Sequence, residues 1–247
     1  MRFIIRSVSS LLCGLWLAAV GPAQTADEVI EKHISALGGR KALSRLSSRV
    51  MTGTVTVTGP SGDVTGSIEI YSKAPNKTRT LMKLDLKDFG IGEMVFDQRF
   101  DGTSGYIIDS INGNREITGN QLDHMRNAAF PSTLLRYREM AISVELAGHE
   151  KVGDRDAYIL ILRPKTGSES KHYLDATTCM VLKMAFKIDV PQMGEVEQVS
   201  EFSDYRTVDG VKVPYAMKMV NPAQTLTVRF TRVEHNKTLD DATFARK

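Results

Sequence analysis

The residues able to do chemistry in this 247-residue chain are five histidines, two cysteines and a scatter of serines and carboxylates. His33, His124, His149, His172 and His235 show neither HExxH nor HxxxH spacing, and Cys13 and Cys179 form no cluster, so no metal site is written into the sequence. Gly-Thr-Ser-Gly-Tyr around Ser104 is not the G-x-S-x-G elbow and lacks its strand–turn–helix context. Phe-Gly-Ile-Gly-Glu-Met (89–94) is a lone G-x-G in a hairpin, without the lysine or following helix that phosphate binding uses. Asp85, Asp88, Asp97 and Asp101 fall on polar faces or turns, where solvation accounts for them. Cys179 lies at a turn with no histidine nearby in sequence and reads as a passive thiol. Asn76-Lys77-Thr78 and Asn236-Lys237-Thr238 are glycosylation sequons, meaningful only in a source that glycosylates. The catalytic reading left open is a set of groups that meet only in three dimensions.

Apolar side chains offer a stronger signal. In Lys73–Asp88, Thr78, Thr80, Met82, Leu84 and Leu86 alternate with Arg79, Lys83, Asp85 and Lys87, which marks a strand with one dry and one wet face. Leu182, Met184, Phe186 and Ile188 oppose Lys183 and Lys187. Val213, Tyr215, Met217 and Met219 oppose Lys212 and Lys218, and Leu226, Val228 and Phe230 oppose Thr227 and Arg229. The dry faces therefore hold Met82, Leu84, Leu86, Met184, Phe186, Ile188, Tyr215, Met217, Met219, Leu226, Val228 and Phe230. Methionine is flexible and polarizable and suits irregular partners. An acyl chain laid on such a surface gains about 0.8 kcal/mol per methylene. The same residues would serve equally as core beneath helices.

The elements that position them follow from periodicity. Arg2 and Arg6, an apolar run over Val8–Val20 and the small residues of Gly-Pro-Ala-Gln-Thr-Ala make a secretory signal peptide, residues 1–23, whose core is too short for the roughly 20 residues of a membrane span. Cleavage after Ala23 keeps the capping box Thr25/Glu28; cleavage after Ala26 is the alternative. Loss of the leader removes Cys13, which leaves no intramolecular disulfide and fits a periplasm. It also removes two of the 32 basic residues, which balances the rest against 29 acidic ones and gives nucleic-acid binding no electrostatic support. Asp27–Leu37 reads as an amphipathic helix stopped by Gly38-Gly39. From Ser48 the period becomes two, with about a dozen strands separated by short turns such as Asn112-Gly113. The pattern breaks only at 120–140, which reads as two short helices. Residues 24–247 thus form one mainly β domain, a curled antiparallel sheet whose concave side only these helices can plug.

Several stretches carry a family likeness: "ADEVIEKHISALGG" followed by "MTGTVTV", "IEIYSKAPNKTR", "FDGTSGYIID", "DYRTVDGVKVPYAMKM" and "LDDATFARK". In order and spacing they resemble the periplasmic outer-membrane lipoprotein carriers and lipoprotein-sorting-like (LolA-like) proteins over nearly the whole chain. The resemblance implies an unclosed β-barrel with helices over its mouth and an apolar cavity for acyl chains. It also implies an arginine before the Pro-Asn turn that ties the lid to the sheet; this chain has Ala74 there. On this reading Leu122, Met125, Phe130, Leu134 and Leu135 form the lid. The protein is then a periplasmic, non-enzymatic carrier or binder of lipids or lipoprotein acyl chains, without cofactor or metal. Its partners are lipids and other envelope proteins. The alternative is an envelope-complex scaffold with the same fold and a filled core.

Overall fold

The computed structural model describes residues 24–60, 62–190 and 193–246. The expected leader, residues 1–23, lies outside them. Thr25 caps the first helix, α1 (Ala26–Ala36), with the expected box: Glu28 N donates to Thr25 Oγ1 at 3.2 Å and Thr25 N to Glu28 Oε2 at 3.1 Å. Gly38 and Gly39 end the turn with positive φ and lead into α2 (Arg40–Leu43).

Thirteen strands follow: β1 (Ser48–Gly59), β2 (Gly62–Lys73), β3 (Lys77–Leu86), β4 (Gly92–Phe100), β5 (Gly105–Asp109), β6 (Arg115–Ile117), β7 (Ser143–Val152), β8 (Arg155–Arg163), β9 (Ser170–Asp175), β10 (Val181–Val190), β11 (Gly194–Val208), β12 (Val211–Asn221) and β13 (Gln224–His235). They make one antiparallel sheet in the order β6-β5-β4-β3-β2-β1-β13-β12-β11-β10-β9-β8-β7. The chain starts mid-sheet, meanders out to one edge, crosses to the other and meanders back. Edge strands β6 and β7 do not pair, so the sheet is an unclosed barrel. The crossing is made by residues 118–142, which carry α3 (Gly119–Arg126) and α4 (Thr133–Arg136).

At one end the concave face is filled. Val29, Ile30 and Ile34 of α1 and Leu134 of α4 share a core with Met51, Val55, Met82, Leu84, Val213, Val228 and Phe230, each under a tenth exposed. Asp27 of α1 takes hydrogen bonds from Tyr137 Oη and Arg138 Nη2, which fastens the helix to the segment after α4. A β-bulge in β10 changes one expected face: Leu182 packs outward on Ala157 and Tyr173, while Val181 turns to the main core.

The convex face also departs from expectation. Asp97 is not solvated on a wet face but 4% exposed, between Arg79 (2.8 Å on each oxygen) and Arg99 (2.6 Å). The C-terminal tail covers the pair: Arg99 Nη1 donates to the Ala245 carbonyl at 3.1 Å, and Asp241 bridges Lys73 and Lys77 at 2.7 and 2.8 Å. Burial alone would raise the Asp97 carboxyl, but bonds from the two guanidiniums hold it below the usual range. Asp97→Asn should destabilise the fold by about 3 kcal/mol, because two enclosed guanidiniums lose their counter-charge; urea denaturation of the two proteins side by side measures it.

Candidate ligand-binding cleft

The roof is less complete over the other end of the face. The first turn of α3 begins with Gly119 at φ +59, where a Cβ would lie 2.6 Å from Asp189 Oδ2. That closeness lets Asn120 N donate to Asp189 Oδ2 at 2.8 Å and Asn120 Nδ2 to Glu195 Oε2 at 2.7 Å, on the β10–β11 side. Leu122 and Met125 instead pack on Phe96, Phe100, Ile107 and Ile117 of β4–β6. His124 lies flat on Phe186 of β10, ring centroids 3.9 Å apart and planes 4° apart. α3 therefore bridges both arms of the open sheet like a strut, and a strut leaves gaps beside it.

Beneath α3 is a cleft of about 570 Å³, lined by Phe96, Ile107, Met125, Phe186, Ile188, Met219 and Leu226, with Gln98, Gln121, Gln198 and Asn221 among its polar groups. This size falls inside the roughly 300–1000 Å³ range of ligand sites. A second cavity, about 270 Å³, lies under α4 against β1, β10, β11 and β12 and includes Arg49, His33, His172, Met184 and Leu134. A third, about 70 Å³, shares His172, Met184 and Thr133 with the second and His124 with the cleft. The three spaces follow one another along the inward side of β10, from Met184 past Phe186 to Ile188.

The expected cavity residues thus divide. Phe186, Ile188, Met219 and Leu226 line the cleft, and Met184 the smaller spaces. Met82, Leu84, Tyr215, Val228 and Phe230 are buried in the filled core, with Met217 partly buried against it; Leu86 is partly buried near its hairpin tip. Of the expected lid, Met125 covers the cleft and Leu134 the second cavity. Leu122 packs on the outer arm, and Phe130 and Leu135 join the core. With alanine at position 74, the turn meets the roof through backbone: Phe130 N donates to the Pro75 carbonyl at 2.8 Å. The arginine that meets the roof comes from β1, with Arg49 Cζ 5.4 Å from the Phe130 ring centroid.

Sequence spacing passed over Arg49 and the histidines. Arg49 shares the inward phase of Met51, Val55 and Val57, so a charge on a dry face was the available signal. His33, His124 and His172 lie far apart in sequence and meet only around these cavities. His33 Nδ1 donates to the Cys179 carbonyl at 2.7 Å. Burial pulls His172 down to about 3, with neighbouring His124 and His33 adding to it, and pulls His124 down to about 4. Burial likewise raises the Cys179 thiol. Among the described residues no three metal-ligating side chains gather, and no helix is long and apolar enough to cross a membrane.

The chain is an unclosed antiparallel half-barrel, strutted by a helical crossover with a cleft beneath it, and this fold is similar to that of several solved structures. Solved structures with this fold include a DUF1329 family protein from Desulfovibrio piger (TM-score 0.57, 15% identity, 88% of this chain and 95% of that one). They include a LolA superfamily protein from Nitrosomonas europaea (0.56, 13%, 91% and 99%). A domain from Vibrio parahaemolyticus, described as an outer membrane lipoprotein-sorting protein, is a third (0.56, 12%, 88% and 95%). No family model matches the sequence, and no curated protein does.

The buried histidines set a pH response. A histidine held neutral in the fold, with its pKa below the ordinary value near 6.5, adds stability above pH 6.5 that is lost progressively as pH falls toward the folded value. Stability should therefore drop between pH 6.5 and about 4, His172 alone accounting for roughly 2 kcal/mol. Urea midpoints at pH 7.5 and 4.5 measure this, and His172→Phe should flatten the difference.

Proposed function

We propose that the protein is a non-enzymatic periplasmic carrier or binder of lipids or lipoprotein acyl chains, held in the cleft under α3. The observation that carries this reading is the cleft of about 570 Å³ lined by Phe96, Met125, Phe186, Ile188, Met219 and Leu226. Its lining is more apolar than polar, with amides and the charged Arg115, Glu116 and Asp189 among the polar groups, as expected of a site for an apolar ligand with a polar end. The fold is shared with a LolA superfamily protein and with a domain described as an outer membrane lipoprotein-sorting protein, which supports that chemistry. Export rests on the leader pattern of residues 1–23. The filled core under α1 favours the second reading, an envelope scaffold, for that half of the face alone.

Protein expressed in a bacterial periplasm should carry co-purified lipid, visible by native mass spectrometry, and should bind an apolar fluorophore once stripped. Met219→Trp, which fills the cleft, should weaken fluorophore binding at least about tenfold while leaving the circular dichroism spectrum unchanged. Wild-type protein that is repeatedly lipid-free and does not bind the fluorophore would sink the carrier reading in favour of the scaffold.

A further inference from the structure

The second cavity is chemically unlike the cleft. Arg49 reaches it from the dry face of β1, and Lys212 stands at its rim on β12. No Asp or Glu lines it. Among the described residues neither cation has an acidic partner, and Arg49 Nε is enclosed with no hydrogen-bond partner at all. The cross-strand neighbour of Arg49 in the sheet, His235, differs in having an acidic partner, its Nδ1 donating to Asp209 at 3.2 Å, but its Nε2 is likewise buried and unpartnered. Arg49 is half-buried, and a guanidinium whose Nε is enclosed and unpartnered, with no counter-charge, is costly. Burial brings Arg49 down to about 10, opposed by the Tyr205 phenol, which leaves it cationic at neutral pH.

The surroundings suit a negative group. Ser132, at the N-terminus of α4, makes no capping bond with its side chain, so its hydroxyl is uncommitted. Tyr205 Oη already donates to the Val181 carbonyl at 2.9 Å and fixes one wall. Arg49 Cζ lies over the Phe130 ring, 5.4 Å from its centroid. On its β10 side this cavity shares Met184 and His172 with the small third cavity, which mixes Ile142, Leu162 and Met184 with polar groups and shares His124 with the cleft.

We propose that this cavity is an anion site, in which Arg49 and Lys212 take the carboxylate or phosphate head of an amphiphile whose tail runs along β10. The inference deepens the lipid-binding reading and rests on it for the tail. The charge of the site stands on Arg49 and Lys212 alone. Charge-assisted bonds to an enclosed guanidinium are the strong kind, so discrimination between charged and neutral heads should be large.

The test uses purified, delipidated protein with oleate, oleyl alcohol, 1-oleoyl lysophosphatidic acid and inorganic phosphate as probes. Wild type should bind oleate at least about tenfold more tightly than oleyl alcohol. Arg49→Met should erase that preference while keeping oleyl alcohol binding, and Arg49→Lys should retain part of it. Lys212→Met, at an exposed position, should reduce it and serves if Arg49→Met does not fold. Displacement of oleate by millimolar phosphate assigns the site to free anions. Oleate that resists phosphate, with lysophosphatidic acid bound as tightly, assigns it to lipid heads. Equal binding of oleate and oleyl alcohol by wild type, or a preference unchanged in Arg49→Met and Lys212→Met, overturns the anion site and leaves the lipid reading standing. Phosphate raising the thermal midpoint of wild type but not Arg49→Met, with no amphiphile bound, does the reverse.

Discussion

A sheet with one dry face has to keep that face from water, and among the described residues thirteen strands present it while four short α-helices cover it. The mismatch between strand area and helix area organises the molecule. α1 and α4 spend their apolar side chains on one end of the trough and build the main core there, leaving the second cavity beside α4. α3 has only Leu122, Met125 and the ring of His124 to offer, and it has to touch both arms. It therefore spans more than it covers, and the spaces beneath it are the remainder.

The period-two alternation marks nearly every strand, and Asn112-Gly113 marks its hairpin, where Gly113 has φ +81. The Thr25/Glu28 pair likewise fixes the start of α1. These features are local, so the sequence shows them. The division of Met82, Leu84 and Val228 from Met219 and Leu226 is not local. All five have the same phase, and the positions of α1 and α4 decide which are wholly core and which, like Met219 and Leu226, also wall the cleft. The outward turn of Leu182 depends on one extra residue opposite β9, and the burial of Asp97 on a tail arriving from the far end of the chain. Arg49 was legible in principle, since a charge in phase with Met51 and Val55 contradicts the dry face.

Polar groups on the concave side sharpen the energetic picture. His33, His124, His172 and Arg49 each surrender hydration there, and only His33 recovers a short bond to backbone. A fold selected for stability alone would place hydrocarbon at such positions. Retaining four titratable groups around cavities that share lining residues lowers the stability of the roofed state, which also makes the roof easier to lift.

The path of the chain has a kinetic side. Eleven of the twelve strand pairings join strands adjacent in sequence, and the exception is β1 with β13. Two independent meanders can each zip up from their own hairpins, while the seam between them closes a loop of almost the entire described chain. Loop closure grows only with the logarithm of length, so the ten residue pairs of that seam offset it comfortably. The seam is thus the strand pairing of longest sequence separation and weighs most among the ladders in the contact order of the fold. The crossover opposite it links two unpaired edges, so the roof can swing without parting a single ladder.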